Sequence, residues 1–302
     1  MDGLLCDFSR RFPELAAEVL ERDRHKRRNF REESVTDLLM AALIGFEPFG
    51  IRVDFPDEKT TGADMDWEFV SLHPINGNTY FRLYIQAKRA ICTKSLKLPK
   101  WHYRELDHES PKGSGKGSQA ATLVAAAAAE PSCCPLYMFY HPQSALDSAT
   151  GLLPAVEGVN AVLAHPIAAA VAGGCKIDTK RVDQWRSMFM SLSDLLCWPE
   201  GMIFYPQARA FGRRAMVLRP AHYSAAFSPE GIANRLDLNR RRIREMSGRT
   251  ESLFLEEPIR AGFEVPPATM RASQGEMTID DRRALKRPRA IFLSRGPDHL
   301  EF

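Results

Sequence analysis

The chain has 302 residues, 44% of them hydrophobic and 26% charged, the ordinary composition of a globular protein with material for one elaborated domain or two modest ones. Its 41 basic and 38 acidic side chains leave a net charge of only +3, so affinity for a polyanion must come from local clusters rather than from the overall field. No apolar run reaches the roughly 18 residues of a bilayer span, and Asp7, Arg10 and Arg11 arrive too early for a secretory signal, so a cytoplasmic protein without membrane attachment is expected.

Residues 1 to 30 read as one helix, with Phe12, Leu15, Val19 and Leu20 spaced along one apolar side. A second helix follows, marked by Val35, Leu38, Leu39, Ala42, Leu43 and Ile44. Glu32 and Glu33 stand at its start, where carboxylates suit the helix dipole. Gly45 ends it, and Phe49 to Phe55 supplies a first strand.

The next two segments alternate at period two, the pattern of half-buried strands. From 63 to 69, Ala63, Met65, Trp67 and Phe69 share one face, while Asp64, Asp66 and Glu68 share the other. From 80 to 89, Phe81, Leu83, Ile85 and Ala87 point one way, and Tyr84, Gln86 and Lys88 the other. The linker His73-Pro74-Ile75-Asn76-Gly77-Asn78 is dense in turn formers, so the pair reads as a hairpin. Its polar face sets acids beside Gln86 and Lys88. Carboxylate oxygens gather a hard divalent cation, Mg²⁺ or Mn²⁺, and an ammonium can orient a water or steady a phosphate. Spacing alone does not choose between Asp64 and Asp66 as the main metal ligand.

Arg89, Lys94, Lys97, Lys100 and Arg104 follow the hairpin, interleaved with Trp101, His102 and Tyr103, and Trp101 to Leu106 reads as a short helix or loop. Basic groups neutralise phosphates and aromatic faces stack on unpaired bases, so this stretch is the expected nucleic-acid contact. The Gly/Ser-rich loop 110–118 carries Gly115-Lys116, but Ser110 stands where a phosphate-binding loop needs Gly and Gly117 where it needs Ser or Thr. A helix from Gln119 to Ala129 and a strand from Leu136 to Tyr140 come next.

Beyond Pro142 the pattern weakens. Val156 to Ile167 contains a candidate strand, Asp178 to Cys197 reads as a long helix, and Met202 to Tyr205 and Ala215 to Leu218 are short strand candidates. Pro229 to Met246 reads as a basic helix whose Arg240, Arg241, Arg242 and Arg244 could help to hold a polyanion. The polar tail after Pro266 is expected to be loosely ordered. Six cysteines without a C-x-x-C pair offer no zinc ribbon, and most are expected to be reduced and buried. His102, Glu105 and His108 lack the order of a zinc-protease helix, and no G-x-S-x-G elbow anchors a serine hydrolase.

Asp64 or Asp66, followed after a turn by Gln86-Ala87-Lys88, resembles the PD-(D/E)xK nuclease superfamily, and more closely its bacterial branches with Q-x-K in place of D/E-x-K. Glu32 to Met40 resembles the first helix of such domains, which often contributes a metal-binding Glu. The resemblance covers about the first half of the chain and implies an α/β, restriction-endonuclease-like core of order α-β-β-β-α-β over 1–145, with a mainly helical accessory region over 146–302, packed separately or as one domain. It implies a metal-dependent endonuclease acting on DNA ahead of RNA, in bacterial anti-phage defence, and leaves homo-oligomerisation or an activating partner open.

Carried over residue by residue, the resemblance favours Asp64 as the metal aspartate, makes Glu33 the further acid with Asp37 next, sets Lys88 beside the attacking water, and suggests a site-lining role for Gln119. Gln86 is the departure from the pattern, because an amide offers one neutral oxygen where a carboxylate offers charge. Glu33, or after it Asp37, must then supply the missing acid. Failing that, the fold binds nucleic acid or a protein partner without cutting.

Overall fold

The helical and strand periods of the sequence map onto elements in chain order. The computed structural model describes residues 2–24, 30–56, 65–72, 77–93, 100–108, 118–174, 177–197, 227–247 and 258–295. Helices α1 (Asp2–Asp23) and α2 (Glu32–Ile44) precede strand β1 (Ile51–Asp54), the hairpin β2 (Met65–Leu72) and β3 (Thr79–Thr93), and strand β4 (Lys100–Tyr103). Helix α3 (Gln119–Ala128) crosses to β5 (Cys133–Tyr140), followed by α4 (Gln143–Asp147), β6 (Val159–Leu163) and α5 (Ala164–Ala172). Short elements α6 (Val182–Trp185), β7 (Met190–Ser191) and α7 (Leu192–Leu196) lead to α8 (Pro229–Ser247), α9 (Pro267–Gln274), α10 (Ile279–Ala284) and β8 (Arg289–Arg295).

The protein is α/β, with a mixed, open sheet of eight strands flanked by helices. The strand order is β1-β8-β2-β3-β5-β6-β7, with β4 paired to the end of β3. The expected hairpin forms, and its register sets the two apolar faces together: Met65 faces Ile85, Trp67 faces Leu83 and Phe69 faces Phe81. Strand β5 runs parallel to β3, as a helical crossover requires.

One sheet face carries the apolar set of the hairpin. Met65, Trp67, Phe69, Phe81, Leu83 and Ile85 pack with Leu136, Met138 and Phe292 against α1, α2, α7 and α8. The ring of Phe69 stacks on that of Phe292 at 4.7 Å. The opposite face, which carries the hairpin's polar set, is covered too. Helices α3 and α5 close it over Tyr84, Tyr137 and Phe139, and α9 closes it over Val70, Tyr80 and Ile291.

Three expectations change. The polar tail is ordered as far as Arg295: β8 inserts between β1 and β2, parallel to β2 and antiparallel to β1, because Ala290-Ile291-Phe292 fills a central strand position. The long helix expected over 178–197 is broken into a 3₁₀ turn (Ile177–Lys180), α6, a second 3₁₀ turn (Arg186–Met188), β7 and α7. Phe189 is extended and Met190 pairs with Ala161, while Ser191 restarts the helix with a reciprocal cap to Asp194. Residues 101–103 form a strand rather than a helix or loop, with Trp101 opposite Cys92 and Tyr103 opposite Ala90. The strand candidates at 202–205 and 215–218 lie outside the described residues.

Candidate active site

Gln86 and Lys88 occupy alternate positions on the polar face of β3, one and three residues past the last described β2 pair, Met65 with Ile85. Both are buried, at 4% and 5% exposure. The Lys88 ammonium donates to Gln119 Oε1 at 3.2 Å. Among the described residues it forms no ion pair, and a buried cation held by one neutral amide is costly unless it serves a purpose. Gln119 is fixed by its place at the start of α3. Ser118 caps that helix by accepting from the Ala121 N–H at 3.2 Å, and the Gln119 N–H donates to the His108 carbonyl at 3.0 Å.

Glu33 sits in the first turn of α2, half-buried, and its Oε2 is a buried oxygen without a hydrogen-bond partner among the described residues. The same turn approaches the ends of β3 and β5: Thr36 Oγ1 lies 3.0 Å from the Tyr140 hydroxyl, and Tyr140 pairs with Arg89. Asp37 is exposed on the next part of α2. Asp64 lies outside the described residues.

Asp66 is engaged elsewhere. Its Oδ2 accepts from Arg82 at 2.8 Å and its Oδ1 from Arg287 at 3.4 Å. Arg82 also pairs with Glu68 at 3.5 Å and Glu130 at 2.9 Å, and the Tyr84 hydroxyl donates to Glu130. The guanidinium groups of Arg82 and Arg287 lie 4.5 and 4.9 Å from the Tyr84 ring centroid, and Arg289 pairs with Asp54 at 2.9 Å. Burial pushes the Glu68 carboxyl up from its ordinary range, against the pull of Arg82 and Arg289. This network was missed from the sequence because Arg287 and Arg289 lie some 200 residues from their partners. The run Ala290-Ile291-Phe292-Leu293 was the available signal of a buried strand beside them.

The basic stretch divides. The Arg89 guanidinium is buried on the apolar side of the sheet, 3.5 Å from Asp23 and donating to the Phe30 carbonyl. Trp101 is buried in the second core with Arg24 5.6 Å from its ring, whereas Lys100 and Arg104 are exposed. Lys94 and Lys97 lie outside the described residues. On α8, Arg240 is buried and pairs with Asp237 at 2.6 Å, Arg241 pairs with the same carboxylate at 2.8 Å, and Arg242 donates to the Phe189 carbonyl at 2.9 Å. Arg244 is exposed.

His141 follows β5 and is structural. Its Nδ1 donates to the Glu157 carbonyl at 2.7 Å, leaving Nε2 to accept from the Tyr103 hydroxyl at 2.6 Å. Burial lowers its pKa to about 4.

Among the described residues, no group of three or more His, Cys, Asp or Glu is placed to hold a metal. Of the acids named from the sequence, Glu33 has an unpartnered buried oxygen suited to a cation or its water, while both Asp66 oxygens are held by guanidinium groups. Residues 5–289 match the family described as "Family of unknown function (DUF6615)", and the chain belongs to that family. No curated protein and no solved structure matches it.

Proposed function

We propose that the protein is a metal-dependent nuclease of the PD-(D/E)xK type, cleaving DNA phosphodiester bonds at a site built from Asp64, Gln86, Lys88 and Glu33. The observation that carries this reading is the buried Lys88 ammonium, two residues after Gln86, held by Gln119 and without a counter-ion among the described residues. The order α2-β1-β2-β3-α3-β5 supports a restriction-endonuclease-like core, as do the antiparallel β2–β3 and parallel β3–β5 pairs. The insertion of β8 between β1 and β2 is an elaboration of that plan.

In this reading Asp64 and Glu33 would hold Mg²⁺ or Mn²⁺, and Gln86 would add a neutral oxygen. The chemistry a divalent cation would supply there is a lowered pKa for a bound water and an offset to charge on the phosphate. Lys88 orients the attacking water or supports the developing negative charge, and Gln119 positions Lys88. Lys100 and Arg104, exposed beside β4, are suited to the substrate backbone.

The test is cleavage of plasmid and linear DNA with Mg²⁺ or Mn²⁺. Lys88→Ala and Asp64→Ala are expected to lower the rate by about 100- to 1,000-fold with folding retained. Undiminished cleavage by Lys88→Ala contradicts the mechanism. The amide at Gln86 favours one second reading, a fold that binds nucleic acid without cutting. It predicts salt-sensitive DNA binding without cleavage by the unaltered protein.

A further inference from the structure

We propose that Cys6 and Cys197 form a redox latch between α1 and α7, closed and opened by exchange with small-molecule disulfides and thiols. The two residues are 191 apart in sequence, yet their Cα atoms lie 4.9 Å apart and their sulfurs are bonded. Cys92, Cys133 and Cys134 are free thiols, so the pairing is selective among the described cysteines.

The surroundings accommodate both states of the pair. Leu5 of α1 and Leu192, Leu195 and Leu196 of α7 are buried in the same core, so the helices keep an apolar contact when the bond opens. Ser9 Oγ donates to the Cys6 carbonyl at 2.7 Å and lies 3.0 Å from Cys197 Sγ. With its own hydrogen committed to that carbonyl, the hydroxyl oxygen can accept from the Cys197 thiol in the reduced state. The pair is also asymmetric in access. Cys6 is partly exposed and Cys197 is buried, so an external reagent meets Cys6 first.

Closure therefore begins with the Cys6 thiolate attacking one sulfur of a small disulfide RSSR, breaking its S–S bond and expelling RS⁻. The Cys197 thiolate then attacks Cys6 Sγ in the mixed disulfide, forming the protein bond and expelling the second RS⁻. The protein dithiol loses two electrons and two protons, RSSR gains the two electrons, and the protons go to solvent or to the released thiolates. An excess of thiol runs the same steps backwards. Arg235 Nε donates to the Leu195 carbonyl at 3.0 Å, so the latched end of α7 is also tied to α8. A closed loop of this length restricts the unfolded chain strongly, and the oxidised form should resist unfolding better.

The full-length protein is incubated with oxidised glutathione or with dithiothreitol, alkylated, digested without reduction and mapped by mass spectrometry, with melting followed in parallel. We expect a Cys6–Cys197 linked peptide only in the oxidised sample, a melting temperature roughly 5 °C or more higher in that sample, and a Cys6→Ser variant that melts like the reduced protein in both conditions. Alkylation of both Cys6 and Cys197 in the oxidised protein, linkage of either to another cysteine, or identical melting in the two states would overturn the proposal. The mapping uses the unaltered protein, so it decides the question even if Cys6→Ser does not fold.

Discussion

Lys88 and Arg82 lie on the same face of one strand, yet the protein treats their charges in opposite ways. Arg82 is neutralised by Asp66, Glu68 and Glu130, whereas Lys88 has, among the described residues, one amide oxygen. Removing Arg82 leaves Asp66 and Glu68 buried without their main cation, and breaking such a pair from one side costs about 3–5 kcal/mol. Arg82→Met should therefore lower the urea midpoint sharply. Lys88→Met removes an ammonium that has no charged partner among the described residues, so its stability should be unchanged or higher by up to about 2 kcal/mol while activity falls. Equal destabilisation by the two substitutions would mean that Lys88 serves the fold rather than a site. The sequence placed Gln86 and Lys88 together through period-two alternation. It could not show that their face is covered by α3, α5 and α9, because burial of a polar face depends on partners far along the chain.

At the scale of elements, local pattern and tertiary context part company in the second half. The hairpin, α2, α3 and β5 were legible because each has a clean period and a distinct start or stop, such as Glu32-Glu33, Gly45 or Ser118. The segment 178–197 has apolar residues at helical spacing, but Met190 is drawn out to pair with β6 and Ser191 caps a new helix. The loop before β6 shows another non-local constraint. A Cβ on Gly158 would lie 1.8 Å from the Pro13 carbonyl oxygen, so that loop is pressed against α1.

Burial in this contact, with Asp194 and Glu14 nearby, raises the Glu157 carboxyl to about 7. A carboxyl raised on folding favours the protonated native state, so its stabilisation is complete below the ordinary value of 4.5 and is lost as pH rises through about 7. His141 acts in the opposite sense. Its lowered value of about 4 gives stability that is present above 6.5 and lost as pH falls through 4. Glu157→Gln should therefore be more stable than the unaltered protein at pH 8 and lose that advantage by pH 4. Urea midpoints at the two pH values measure this, and a pH-independent difference would contradict the assignment.

For the whole molecule, the sheet joins both ends of the chain. Strand β8, drawn from a tail that reads as polar, lies between β1 and β2, and β6 and β7 extend the sheet past β5, so strands from either side of residue 145 share one sheet. Arg287 pairs with Asp66 and Arg289 with Asp54, which carries the C-terminal segment into the charge network of the hairpin. That placement turns a choice left open by spacing into a measurable one. The proposed centre uses Asp64, with Glu33, and excludes Asp66 as a ligand. The most direct test is Mn²⁺ binding by titration calorimetry, which requires neither the true substrate nor an activating partner. The account predicts saturable binding that is lost in Asp64→Asn, weakened in Glu33→Gln and retained in Asp66→Asn. Mn²⁺ binding that survives Asp64→Asn and disappears in Asp66→Asn, or that is absent from the unaltered protein, would contradict it.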